Sequence, residues 1–126
     1  MHVKGPLILA VDDHPPNLAL LMHLLVLHGY SVATASDATE ALVAIGRERP
    51  RLILMDLQMP GIDGFELTRM LKANPKTADI PIIAVTSFAM AGDRERALQA
   101  GCDDHVAKPI DTRTLPLKLA EFLARA

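Results

Sequence analysis

Residues 52–61 read LILMDLQMPG, and this stretch decides how the rest of the chain is interpreted. A short apolar run ends in one carboxylate, Asp56, and Pro60 and Gly61 then stop the extended segment. The pattern predicts a buried strand with an acid at its carboxyl end. An isolated aspartate in such a place is usually a turn residue. Its meaning therefore depends on how the other strands end.

Four further runs have the apolar character of strands buried on both faces, at 7–11, 30–35, 81–85 and 105–107. Helical segments alternate with them, at about 16–28, 37–46, 65–74 and 93–101, and a last helix follows. Pro116 would remove a hydrogen bond if that last helix began at Asp111. We therefore expect it to begin nearer Thr114 or to be kinked. Five strands alternating with five helices predict an α/β fold around a parallel sheet.

Polar side chains follow four of the five predicted strands. Asp12 and Asp13 follow the first strand, Asp56 ends the third, Thr86 follows the fourth and Lys108 follows the fifth. In an open parallel sheet, ligands bind outside the carboxyl ends of the strands. We therefore expect these side chains to form one site at one edge of the sheet.

The charges of this predicted site indicate what it binds. Three carboxylates and one ammonium group leave a net charge of −2. Like charges about 4 Å apart repel by about 4 kcal/mol per pair at an effective dielectric constant of 20. A divalent cation would balance the sum, and an all-oxygen set with room for water favours Mg²⁺. A carboxylate beside Mg²⁺, a lysine and a hydroxyl can accept a phosphoryl group.

With these residues in this order, the chain resembles the response-regulator receiver domains of two-component signalling, the CheY-like superfamily. The resemblance covers essentially the whole chain and rests on Asp12-Asp13, the segment MDLQMPGIDG at 55–64, Thr86-Ser87 and Lys108-Pro109. It implies a doubly wound, flavodoxin-like (βα)5 fold with strand order 2-1-3-4-5. It also implies that residues 1–126 form one receiver domain.

The resemblance implies a role for each carboxylate. Asp56 is expected to be the phosphoacceptor, which forms an aspartyl phosphate. Asp12, Asp13 and Asp56 are expected to bind Mg²⁺ together with the main-chain carbonyl of Gln58.

It also implies roles for the residues after the last two strands. Lys108 is expected to contact the phosphoryl group, and Thr86 to act as the switch hydroxyl. The Lys108–Pro109 peptide bond is expected to be cis, against a background of about 5% for such bonds. His105 stands where the family usually has a tyrosine or phenylalanine as the switch aromatic, so its role as a switch residue is an open hypothesis.

Composition limits the classes of partner. The chain has 126 residues, a net charge of −2 and no basic stripe, so we expect no nucleic acid. The longest apolar stretch, 18–27, is too short to span a membrane, and no signal peptide is evident. These features predict a cytoplasmic protein that does not contact a membrane. The resemblance implies a histidine kinase or histidine phosphotransfer protein as phosphoryl donor, and a downstream protein target.

The alternatives concern context and chemistry. The segment SFAMAGD at 87–93 looks most like that of single-domain regulators and of receivers fused to hybrid histidine kinases. Met1 lies close to the first strand, so we favour a stand-alone regulator without DNA-binding output, with a receiver excised from a hybrid kinase as the alternative.

Other chemistries fit less well. No enzymatic activity beyond self-phosphorylation and autodephosphorylation is expected. A phosphohydrolase using Asp56 as nucleophile would need an Asp-x-Asp pair, and Gln58 stands in place of the second acid. A degenerate, phosphorylation-independent interaction module would not need the complete set of acids, hydroxyl and lysine.

Helix 16–28 has an unusual apolar content. Eight of its residues are large and apolar, namely Leu18, Leu20, Leu21, Met22, Leu24, Leu25, Val26 and Leu27. That is more than one inward stripe of a surface helix needs. Some of them are therefore expected to face solvent beside the site, where they would suit docking on a helical bundle of the phosphoryl donor.

Overall fold

The computed structural model describes residues 5–57, 63–86 and 92–124. Five strands and five helices alternate along the chain. They are β1 (Leu7–Val11), α1 (Pro15–Leu27), β2 (Ser31–Ala35), α2 (Ala38–Arg47), β3 (Leu52–Asp56), α3 (Gly64–Ala73), β4 (Ile82–Thr86), α4 (Asp93–Ala100), β5 (Asp104–Ala107) and α5 (Thr114–Ala124). Every predicted element is present, with ends shifted by a residue or two.

The strands form one parallel sheet in the order β2-β1-β3-β4-β5, as predicted. Successive side chains point to opposite faces of the sheet. Ile53 and Met55 pack on the face covered by α2, α3 and α4, whereas Leu52 and Leu54 pack on the face covered by α1 and α5. Because both faces are buried, the central strands β1, β3 and β4 are apolar up to their ends and show no alternation in the sequence.

Helix ends follow local signals in the sequence. Asp37 caps α2 by accepting from the Glu40 N–H at 2.8 Å, and Asp63 caps α3 by accepting from the Glu66 N–H at 2.9 Å. The Glu40 carboxylate accepts from the N–H of Ser36, one residue before the cap. In a capping box this second bond would come from the N–H of the cap residue Asp37 itself, so here its donor is one residue earlier in the chain.

Prolines mark the beginnings of α1 and α5. Pro15 is the first residue of α1, one position earlier than expected, where the missing N–H is no loss. Helix α5 begins at Thr114, so Pro116 is its third residue. The first four N–H groups of a helix have no partner within the helix. A proline there removes no helical hydrogen bond, and the first of the two expected alternatives is correct.

A lysine joins three segments at the sheet edge opposite the predicted site. The Lys72 Nζ at the end of α3 donates to the carbonyls of Ala78 and Ile80, at 3.2 and 2.8 Å. It also lies 3.0 Å from Oδ2 of Asp103, which in turn accepts from the Ile82 N–H at 2.8 Å. The chain entering β4 and β5 is therefore held to α3 by charged hydrogen bonds.

None of the helices in these three described ranges has the length and apolar character needed to cross a bilayer.

Candidate functional site

The carboxyl ends of β1, β3, β4 and β5 present the predicted site residues at one edge of the sheet. Asp12 follows β1 directly, Asp56 is the last residue of β3, and Lys108 follows β5. Thr86 is the last residue of β4 and pairs with Ala107, so it lies within the strand and not after it as expected. Its β-branched side chain suits an extended backbone.

Three carboxylates converge at this edge. One oxygen from each of Asp12, Asp13 and Asp56 lies within 4.8 Å of the others. Asp12 and Asp56 are only 1% and 3% exposed, whereas Asp13 faces solvent. Charges buried to this degree are destabilising unless an opposite charge compensates them. The site therefore attracts positive charge and can be entered from the side of Asp13.

Lys108 supplies part of that positive charge. Its Nζ lies 3.4 Å from Oδ2 of Asp12 and 3.5 Å from Oδ1 of Asp56. One ammonium group cannot balance three carboxylates, and two negative charges remain. The oxygen-only donor set and this excess of charge fit a hard divalent cation such as Mg²⁺.

A main-chain hydrogen bond to the end of β4 positions Lys108. The Lys108 N–H donates to the Thr86 carbonyl at 2.9 Å, and the Lys108–Pro109 peptide bond is cis. The hydroxyl of Thr86 is on a residue only 2% exposed. The Thr86 hydroxyl and the Lys108 ammonium group are therefore carried by the hydrogen-bonded ends of β4 and β5.

Asp12 is held by the first turn of α1 as well as by Lys108. Its Oδ1 accepts from the His14 N–H at 2.9 Å, and its Oδ2 accepts from the Asn17 side-chain amide at 3.3 Å. No local pattern in the sequence marks Asn17, because its contact with Asp12 depends on how α1 folds back over the end of β1.

His105 lies on β5 in register with Ala84, two residues before the residue that pairs with Thr86. Its Nδ1 is 3.7 Å from Oδ1 of Asp104. Partial burial lowers the pKa of His105, and the charge of Arg94 lowers it further, while Asp104 opposes both. The imidazole is therefore held toward its neutral form.

Gln58 and residues 87–91, which include Ser87 and Phe88, lie outside the described residues. The predicted ligand carbonyl of Gln58 stays a prediction.

The sequence of residues 8–120 matches the response regulator receiver domain family model. The chain belongs to this family. It is a receiver domain of two-component signalling. Members of this family interact in general with histidine kinases and with downstream targets.

The relatives differ in how much of their own length this chain matches. The polar-differentiation response regulator DivK of Brucella anthropi is 42% identical over 119 residues, which are 94% of this chain and 97% of DivK. The response regulator PleD of Caulobacter vibrioides is 43% identical over 82% of this chain, but the match spans only 23% of PleD.

A solved receiver domain of a Pseudomonas aeruginosa sensor histidine kinase has a TM-score of 0.88 and 37% identity, covering 96% of this chain and 99% of that chain. Its structure is described with a magnesium ion coordinated in the active-site cleft.

One glycine is required by the backbone of the site. A Cβ on Gly64, the first residue of α3, would lie 2.6 Å from Cα of Leu57 and closer still to the Asp56 carbonyl oxygen. These are main-chain atoms that cannot rotate away. Helix α3 can therefore begin beside the end of β3 only because residue 64 has no side chain.

Gly64→Ala is expected to lower the free energy of unfolding by about 1–3 kcal/mol, because the methyl group pushes against the Asp56–Leu57 backbone. The matched control is Gly46→Ala in α2, where a Cβ meets nothing within 4 Å. That change is expected to stabilise by about 0.5–1 kcal/mol through the loss of glycine's flexibility. Urea denaturation measures both, and equal effects of the two substitutions would contradict the steric argument.

His105 makes stability depend on pH in a defined direction. Its pKa in the folded protein is below its ordinary value, so the unfolded chain binds more protons as the pH falls below about 6.5. Relative to His105→Asn, the wild type is expected to lose stability between about pH 7.5 and 5.5. Parallel unfolding curves across this range for the two proteins would show that the imidazole is not held toward its neutral form.

Proposed function

We propose that Asp56 accepts a phosphoryl group from a phosphohistidine of a histidine kinase or phosphotransfer protein, and that the aspartyl phosphate switches a protein-interaction surface. The observation that carries this proposal is the environment of Asp56. It is a buried carboxylate at a strand end, 3.5 Å from Lys108 and clustered with two further acids.

The chemical step uses the carboxylate as a nucleophile. An Asp56 oxygen attacks phosphorus, and a P–O bond forms as the P–N bond to the donor imidazole breaks. The leaving nitrogen keeps the electron pair of that bond. Lys108 turns from the carboxylates of Asp12 and Asp56 to an equatorial phosphoryl oxygen, and the Thr86 hydroxyl donates to another. The negative charge gained at the site is therefore met by groups already placed there.

The same residues account for a metal requirement. Asp12, Asp13 and Asp56 would hold Mg²⁺, with the Gln58 carbonyl as a further ligand. When bound, the ion supplies positive charge to the phosphoryl oxygens in the transition state. The magnesium found in the P. aeruginosa receiver domain supports this assignment.

The protein is proposed to act as a switch and not on a separate substrate. Movement of Thr86 toward the phosphoryl group would change the packing beside it on β5, where His105 lies two residues from its partner Ala107. This route links the site to the surface formed by β5 and α4. Loss of the phosphoryl group would occur by hydrolysis within the same site.

The docking surface for the phosphoryl donor is proposed on α1. Leu21, Leu24 and Leu25 of this helix enter the core. Four other apolar side chains, here termed the α1 stripe, are 41 to 71% exposed, namely Leu20, Met22, Val26 and Leu27. Exposed apolar area of this kind, on the helix next to the acid cluster, suits contact with a helical bundle.

Incubation with Mg²⁺ and acetyl phosphate is expected to add one phosphoryl group that is stable to acid and labile to base, as for an acyl phosphate. Asp56→Asn should abolish it, and chelation of the metal should prevent it. Asp13→Ala should be partly rescued by excess Mg²⁺, whereas Lys108→Ala should be slow at any metal concentration, since it loses a contact of about 1.5–3 kcal/mol. Intact-protein mass spectrometry follows each reaction.

Two results would overturn this proposal. The first is an intact wild type that accepts no phosphoryl group from small donors or from a panel of kinases. The second is sustained turnover of a phosphoester, which would instead favour a hydrolase.

Leu20→Lys, in the α1 stripe, is expected to slow phosphotransfer from histidine kinases by about tenfold or more, because a charge replaces apolar contact area at an interface. Phosphorylation by acetyl phosphate should be unchanged. Val43→Lys is the matched control, since Val43 is an exposed apolar residue on α2. If Leu20→Lys slowed both donor types equally, the substitution would be acting on the site and not on docking.

A further inference from the structure

Asp12 has two kinds of neighbour with opposite effects on a cation. Its Oδ2 lies 3.3 Å from the Asn17 amide nitrogen and 3.4 Å from Lys108 Nζ. Lys108 brings positive charge that repels an incoming cation. Asn17 brings a hydrogen bond and no net charge, so it orients the carboxylate without opposing metal binding.

An oxygen of a carboxylate has two lone pairs, and it can accept from Asn17 while it coordinates a cation. The other oxygen, Oδ1, is already held by the His14 N–H. With both bonds made, the carboxylate plane of Asp12 is set by α1. It does not depend on Lys108, which the proposed reaction requires to move to the phosphoryl group.

The position of Asn17 is itself restricted. It is the third residue of α1, directly after Pro15 and Pro16, whose rings fix their backbone φ. The Asn17 N–H donates to the His14 carbonyl at 3.0 Å. The side chain is half-buried and reaches back across this turn to Asp12. Its amide is therefore a fixed part of the acid pocket.

We propose that Asn17 is a positioning residue for the metal site, which holds Asp12 toward Asp13 and Asp56 when Lys108 is displaced. This inference rests on the proposed magnesium-dependent function. Loss of a hydrogen bond to a metal ligand typically weakens metal binding by about 10- to 100-fold. Asn17 contacts only one of the three carboxylate ligands, so a weakening at the low end of this range is expected.

Isothermal titration of the full chain with MgCl₂ tests this. Asn17→Ala and Asn17→Leu should both raise the Mg²⁺ dissociation constant by about tenfold, since neither can donate and Leu keeps the side-chain size. The matched control is Asn74→Ala at the end of α3, an exposed asparagine whose side chain accepts from the Lys76 N–H and, within the described residues, makes no hydrogen bond to Asp12 or Lys108. It should bind Mg²⁺ as the wild type does. Wild-type affinity in either Asn17 variant would overturn the proposal.

Thermal unfolding separates positioning from a structural role. Melting temperatures are compared without metal and at about ten times the wild-type dissociation constant, where bound ligand stabilises by about 1.4 kcal/mol. Positioning predicts a smaller Mg²⁺-induced rise in the Asn17 variants. An unchanged rise with lower temperatures throughout would show a purely structural role. If the wild type itself bound no Mg²⁺, the proposed function would fail, and not the role of Asn17 alone.

Discussion

Lys108 lies between two buried carboxylates, Asp12 and Asp56, and the rest of this sheet edge depends on that arrangement. Each carboxylate has lost almost all contact with bulk water, and desolvation of a charge costs several kcal/mol when nothing compensates it. One ammonium group at about 3.5 Å offsets part of this cost. The negative charge that remains favours further positive charge, so the pocket could hold a cation before any reaction takes place.

The fold concentrates this charge because it keeps other polar groups away. Both faces of the sheet are filled by apolar side chains, and the three central strands β1, β3 and β4 carry acids or a hydroxyl only at or just after their last residue. A low-polarity surrounding strengthens each charge interaction at that edge. The close start of α3 against the Asp56–Leu57 backbone, possible only with glycine at position 64, adds to this enclosure.

The sequence predicted this architecture well where the signals are local. Apolar runs, capping aspartates and strand-end acids each act within a few residues, and parallel strands then bring their ends to one edge whatever the details of packing. Contacts between elements were not predictable in this way. The bonds of Asn17 to Asp12 and of Lys72 to Asp103, and the fit of Gly64 to β3, depend on side-chain directions across a turn or a layer.

The sequence of helix α1 has little amphipathic pattern because the helix has three different sets of contacts. Leu21, Leu24 and Leu25 fill the core, the rest of the helix surface exposes the α1 stripe, and the first turn holds Asp12. A helix that only packed against the core would have a polar outer face. Because the core contacts fix α1 on the sheet, the α1 stripe and the acid pocket keep a constant spacing. A partner seated on the stripe is therefore also placed relative to Asp56.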